Sequence, residues 1–441
     1  MRILFYFVIL FFFNHCSFDN KSGIWKNENA ISDQSKNKLS KFKTLYSSND
    51  TFDKIVPLSE KYTFKIQSPI NNLSWTDIYY DQTNNLENYR YNDANQRIFR
   101  SKKISRNKVS EFILFNNDYL IASDSKGNII TFSVKEKRRY DKFNFYKKRM
   151  KKIKKNLNII IENNTIYVSD NVGYLYAYNF IEKKVLWAKN FKIPFRSNLK
   201  VVNEKLIAAN QNNNLYFLDK NSGKILSIIP TEETVVKNQF INNVSNNDSD
   251  IFFLNTYGSL YSINKDNMNI NWFLNLNQSI DLNPSNLFDG TEIINNKSYI
   301  IISTNNYTYV LDINTGVIIN KINFSSLIKP IAINKYLFLI TKNHLLIAWD
   351  LDKKKIIYSY DINQKIAEFL KTKKKLVDIK NMMIVNNKLF VFLKNSYVLK
   401  FSLSGNLEEV KKLSSKIKSN PIFIENFLMF LDKKNRLSIL N

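Results

Sequence analysis

The chain has 441 residues, 44% hydrophobic and 14% aromatic, with 65 Lys and Arg against 38 Asp and Glu, two His and one Cys. That length allows one large repeat fold or two to three ordinary domains, and the apolar content excludes a mainly disordered chain. A single cysteine excludes an intramolecular disulfide framework, a cysteine zinc finger and an iron–sulfur cluster held by this chain alone, and two histidines leave little room for histidine-dependent catalysis. The formal charge of +27 arises mostly from Lys, since only ten basic residues are Arg; in a chain also rich in Asn and Ile it reads as compositional background.

The first element is an N-terminal signal. Arg2 is followed by an unbroken apolar run from Ile3 to Phe13. As a helix, that run would rise about 16 Å, half a bilayer core, which is short for a span and right for the apolar part of a secretory signal peptide. Cys16 stands three residues beyond it. The arrangement resembles a bacterial lipoprotein signal, with residues 1–15 removed and Cys16 acylated, although Phe13 and His15 replace the usual Leu and small residue. Residues 16–60, rich in Asn, Lys, Ser and Asp, read as a flexible tether. No other stretch has the roughly 18 apolar residues of a membrane span.

From about residue 61 onward the chain repeats. Units begin at Leu120, Ile166, Leu206, Ile251, Tyr299, Leu337, Leu389 and Leu428, and the gaps average 44 residues. That period belongs to propellers of four-stranded blades. Seven residues into each unit stands a turn residue: Gly127, Gly173, Asn213, Gly258, Asn306, His344, Ser396 and Asn435. A second turn carries Gly223, Gly316 and Gly405, so six of only eight glycines fall on two recurrent turns. Each unit reads as strand, tight turn, strand, tight turn, strand. Consecutive apolar residues, as in LIAAN and IIIST, suit a blade buried on both faces.

The last unit stops at Asn441, a strand short. Fourth strands elsewhere contain Trp187 and Trp272, and the orphan segment around Trp75 has the same look. Residues 73–79 are therefore expected to complete the final blade and close the ring. The expectation is an all-β, eight-bladed propeller of four-stranded antiparallel blades, with seven blades as the alternative if the first unit is distorted.

Two stretches, VGYLYAYNFIEKKVLW at 172–187 and NNLYFLDKNSGKIL at 213–226, resemble the quinoprotein-type, or PQQ-like, propeller repeat. With the lipoprotein-like signal and eight such units, residues 61–441 resemble the BamB-type lipoproteins of the outer-membrane β-barrel assembly machinery. The resemblance implies a periplasmic scaffold lipid-anchored to the outer membrane. It implies a BamA-like barrel insertase as partner, unfolded outer-membrane proteins as further partners, and no cofactor. In that family an aliphatic–x–aliphatic–Arg motif contacts the insertase; it falls here on Ile193, Phe195 and Arg196, with Phe in place of the second aliphatic and Pro194 stiffening the loop.

Quinoprotein dehydrogenases share the repeat, so an enzyme is the alternative. Such enzymes need a cation beneath the quinone, an acidic base and often a vicinal cysteine pair, which this chain lacks. Glu232/Glu233 and Glu408/Glu409 read as solvated, and His344 as a turn residue. A protein-binding propeller with another envelope partner is the third reading. Lys135–Lys155, with twelve basic and two acidic residues, is compatible with nucleic acid or anionic lipid. The alternation of Phe143 and Phe145 instead marks an outer strand with one buried side, and the export signal argues against nucleic acid. The KTKKK run at 371–375 reads as an exposed loop.

Overall fold

The computed structural model describes residues 52–147, 150, 152–232, 242–276 and 291–441, together with two short strands nearer the N-terminus. The chain divides into two units, residues 1–50 and 51–441. In the first, Cys16–Phe18 pairs antiparallel with Trp25–Asn27. In the second, eight blades follow one another at 109–144, 157–190, 200–229, 243–275, 294–322, 331–361, 379–412 and 422–440. Among the described residues no helix is long and apolar enough to cross a membrane.

The repeat expected from the sequence is present in full. Within each of blades 1–7 four strands pair antiparallel in chain order, from the axis outward. Seven of the eight turn residues between the second and third strands have positive φ, from Asn435 at 57° to Gly173 at 102°; Asn306 alone does not. After the third strand comes a second positive-φ position, occupied by Lys137, Lys183, Gly223, Met268, Gly316, Lys354 and Gly405 in blades 1–7. The neighbouring ladders each carry a register shift, as at Ala177/Tyr178, which is the signature of a hairpin with a bulge. Middle strands are buried on both faces, for example every residue of Leu345–Asp350.

Three of the second-turn glycines are fixed by the neighbouring blade. A Cβ on Gly223 would lie 2.5 Å from the Trp187 ring, one on Gly316 2.5 Å from Trp272, and one on Gly405 2.6 Å from Tyr360. An aromatic ring on the outer strand of blades 2, 4 and 6 thus slides under the turn of blades 3, 5 and 7. The indole Nε1 of Trp187 also donates to Lys220 O at 2.8 Å.

Ring closure differs from expectation. The outer strand of blade 8 is Arg97–Lys103, antiparallel to Arg436–Leu440, with Phe99 opposite Ile439. Residues 73–79 do not join that blade. Trp75 instead exchanges backbone hydrogen bonds with Phe115 on the inner strand of blade 1, at 2.7 and 2.8 Å. It belongs to a segment, residues 70–91, that fills the axis of the ring and bonds to the inner edge of every blade. Ile161 N donates to Thr76 O, Asn246 N to Gln82 O and Asn295 N to Thr83 O. Asn85 exchanges bonds with Ala332, Asn72 Nδ2 donates to Phe423 O, and Asn88–Tyr89 runs parallel to Ile384–Val385.

The chain reaches the axis by a radial route over blade 6. Phe52 meets Phe324, Val56 pairs with Ser359, and Phe64 packs on Tyr336, Phe338 and Tyr358. Residues 52–60, expected in the tether, are therefore already attached to the propeller. The sequence also gave no sign of the helix Ile362–Leu370, capped by Asp361 and ended by Lys371 in the left-handed conformation. The lysines that follow it, 371–375, are exposed as expected.

Candidate functional site

Connections from one blade to the next lie on the same face of the ring as the first turns. The connection between blades 2 and 3, residues 191–199, carries Ile193, Phe195 and Arg196. It is held at several points: Phe191 N donates to Gly173 O at 2.8 Å, Phe195 N to Asp170 O at 2.9 Å, and Gln211 N to Pro194 O at 2.8 Å. At its end Asn198 exchanges two bonds with Val244 of blade 4. Gly173 is required here, because at φ +102° a Cβ would approach the backbone of Lys192 and Ile193 to 3.0 and 2.9 Å.

The side chains divide by depth. Phe195 is 2% exposed and packs with Phe191, Leu199 and Tyr216 between blades 2 and 3. It is a core residue, not the exposed contact the motif suggested, because the bridge from Phe195 to Asn210 draws it inward. Ile193, Pro194 and Arg196 are half-buried and form the surface over it. The buried Asp170 shapes the turn below, accepting from the backbone N of Val172, Gly173 and Tyr174, each at 2.8 Å.

At the axis, the segment 70–91 is locked by one buried ion pair. Lys200 Nζ donates to Asp77 Oδ2 at 2.6 Å, to Asp81 O at 2.6 Å and to Asn84 Oδ1 at 2.7 Å, and the two charged side chains are 1% and 3% exposed. The ammonium's three donors are all used. Burial raises the Asp81 carboxyl, opposed by its bonds with Thr83 and by Lys200. Above the segment, on the connector face, remains a cavity of about 300 Å³ lined by Tyr79, Phe112, Glu292, Lys329, Lys380 and Asn420 among others. Desolvation pushes the Lys329 ammonium down to about 8, and it donates to Tyr79 O and Asn84 O.

This axis does not fit a quinone with its cation. It is filled by the chain's own backbone, and among the described residues no three His, Cys, Asp or Glu converge as a metal site. His344 is buried at its turn, with φ 64° and Asn363 Nδ2 3.3 Å from Nδ1. Glu232 is exposed, as expected, and also accepts from Ser259 and Asn255, while Glu408 and Glu409 pair with Lys388 and Lys400. Glu233 lies outside the described residues, as do the signal segment and the side chain of Cys16. Phe143 and Phe145 pack against blade 2 as expected, stacked on Tyr178 at 3.9 Å and Tyr176 at 4.4 Å.

A family model described as outer membrane protein assembly factor BamB matches residues 149–360. No curated protein sequence matches the chain. Among solved structures, BamB from Moraxella catarrhalis superposes with a TM-score of 0.62 at 11% identity, over 78% of this chain and 99% of that one. The quinohemoprotein alcohol dehydrogenase from Comamonas testosteroni gives 0.58 at 11% identity, over 84% of this chain and 81% of that one. A computationally designed protein, Ika8, gives 0.58 at 10% identity, over 78% and 99%. Eight four-stranded blades and two recurrent turns make the chain an eight-bladed β-propeller, similar over residues 149–360 to the PQQ-type repeats of the BamB family and in its fold to BamB.

Proposed function

We propose that this propeller is a non-enzymatic periplasmic scaffold of the outer-membrane β-barrel assembly machinery. In this reading it is anchored to the outer membrane through an acylated Cys16 and docks on a BamA-like insertase to help insert outer-membrane proteins. The observation that carries the reading is the BamB family match over residues 149–360, which contains the whole connection between blades 2 and 3. That connection is rigid, which lowers the entropy lost on docking. It offers Ile193 and Arg196 on a surface supported from beneath by Phe195.

The dehydrogenase alternative draws on the same repeat but finds no support at the axis, where residues 70–91 occupy the space and bond to backbone groups of the inner strands. The test is a mild-detergent pull-down of the intact protein beside an Ile193→Ala/Arg196→Ala variant. Phe195 is left alone, because its truncation would damage the core. Recovery of the insertase with wild type and its loss with a folded variant is expected. Recovery with both discards the loop, and recovery with neither discards the scaffold role.

A further inference from the structure

One blade junction breaks an alternation that runs round the ring. At three junctions an outer-strand ring lies under a glycine turn: Trp187 under Gly223, Trp272 under Gly316, and Tyr360 with Tyr358 under Gly405. The fourth place in this alternation is the junction of blades 8 and 1. There Phe99, facing Ile439, takes the place that Trp187 holds opposite Ala177, but the turn of blade 1 carries Lys137 instead of glycine. The ring under glycine is missing, and a groove of about 560 Å³ runs between the Arg97–Lys103 strand and the outer hairpin of blade 1.

The groove is cationic. Arg100, Lys102, Lys103, Lys137, Arg138 and Arg139 line it, all of them exposed. Among the described residues, only Arg100 and Arg138 have a carboxylate partner, Asp432 and Glu136. Phe99 and Phe132, with ring centroids 6.1 Å apart, form an apolar floor. Four uncompensated cations over hydrocarbon suit a phosphate carried on an apolar body. Phe132 is buried and Phe99 half-buried, so neither offers the open ring face on which a nucleic-acid base would stack.

We propose that the groove between blades 8 and 1 binds the phosphate headgroup of an anionic phospholipid, apart from the loop at blades 2 and 3. Vesicles of phosphatidylcholine with and without phosphatidylglycerol serve as probe, with the full chain carrying Cys16→Ser so that no acyl anchor contributes. Each basic residue at a charged surface contributes roughly fivefold in affinity, so Lys102→Ser/Lys103→Ser/Arg139→Ser is expected to lose about a hundredfold of the phosphatidylglycerol-dependent binding. Lys371→Ser/Lys373→Ser/Lys375→Ser, which removes the same charge from the exposed loop after the helix, is expected to keep it.

Equal loss in both variants, or loss in neither, overturns the groove and leaves only attraction by the net charge. Competition separates the sources of phosphate. Glycerol phosphate is expected to displace the vesicles at lower concentration than inorganic phosphate, and equal displacement overturns the lipid in favour of free phosphate. Binding of a single-stranded oligonucleotide that falls with the groove variant, while vesicle binding does not, assigns the groove to nucleic acid instead.

Discussion

Replacing Lys200 by Met tests how the axial segment is held. The substitution keeps the volume and removes the ammonium, leaving three acceptors without their donor: Asp77 Oδ2, Asp81 O and Asn84 Oδ1. The Asp77 carboxylate keeps the Tyr79 N–H, which donates to its Oδ1 at 2.8 Å. Removing one member of a buried pair costs about 3–5 kcal/mol, much of it the desolvation of the stranded carboxylate. Against a total stability of about 5–15 kcal/mol this is a large fraction.

With a urea slope of about 3 kcal/mol/M, the unfolding midpoint should fall by roughly 1–1.7 M. Tryptophan fluorescence is a suitable readout, because Trp75 lies in the axial segment itself. Asp77→Asn/Lys200→Met removes both charges and leaves no stranded ion, so it should be more stable than the sum of the single losses by at least 1 kcal/mol. A Lys200→Met midpoint within about 0.3 M of wild type, or strict additivity in the double variant, would refute the idea that this pair locks the axis.

Other outcomes follow from the same contacts. Gly223→Ala forces a Cβ into the Trp187 ring at a positive φ and should cost about 2–4 kcal/mol by calorimetry; in a Trp187→Ala background the clash disappears and only the backbone strain of about 1–2 kcal/mol remains. Lys329 ionises at about 8 in the folded protein against 10.5 when unfolded. Between those values the unfolded chain holds more protons, so the Lys329 contribution to stability rises from pH 8 to pH 10.5; the difference between wild type and Lys329→Met should rise with it in urea melts. A flat difference would mean that the ammonium is better solvated than its partners suggest. Cys16→Ser should release the protein from washed membranes at high salt, and unchanged retention would rule out the lipid anchor.

The blades were legible because each repeats the same local problem. A chain that reverses within two residues needs positive φ, and the residues that tolerate it recur at a fixed spacing; His344 and Ser396 kept the conformation despite their poor fit. Closure was misread for a related reason. Trp75 sits in a sequence that looks like an outer strand, whereas the strand that does the pairing, RIFRSKK, is mostly charged and exposed, as an edge needs to be.

The axial segment left no periodic trace. Its residues bond to groups on separate blades all round the ring, mostly backbone and in blade 3 the Lys200 ammonium, so no local pattern records them. In the loop at 191–199, the motif identified the right stretch of chain but not which residue faces inward. That was decided by the bridge to Asn210, which is invisible in one dimension.

The way the ring is fastened bears on when it can be finished. Residues 70–103 supply both the hub and the clasp; the hub has partners in every blade, and the clasp has its partners at the opposite end of the sequence. Tyr91 reaches Asn441 across 350 positions, Leu437 reaches Ser101 across 336, and Arg100 reaches Asp432 across 332. Such separations make assembly slow relative to local hairpin formation. A chain that is threaded across a membrane amino end first must therefore hold its hub in waiting until the eighth blade has arrived. One that stops short of that blade lacks its clasp and leaves the hub without the Phe423 carbonyl. Closure thus waits on the last-made blade: without residues 422–440, the strand Arg97–Lys103 has no partner and apolar surface of the adjoining blades stays open to solvent.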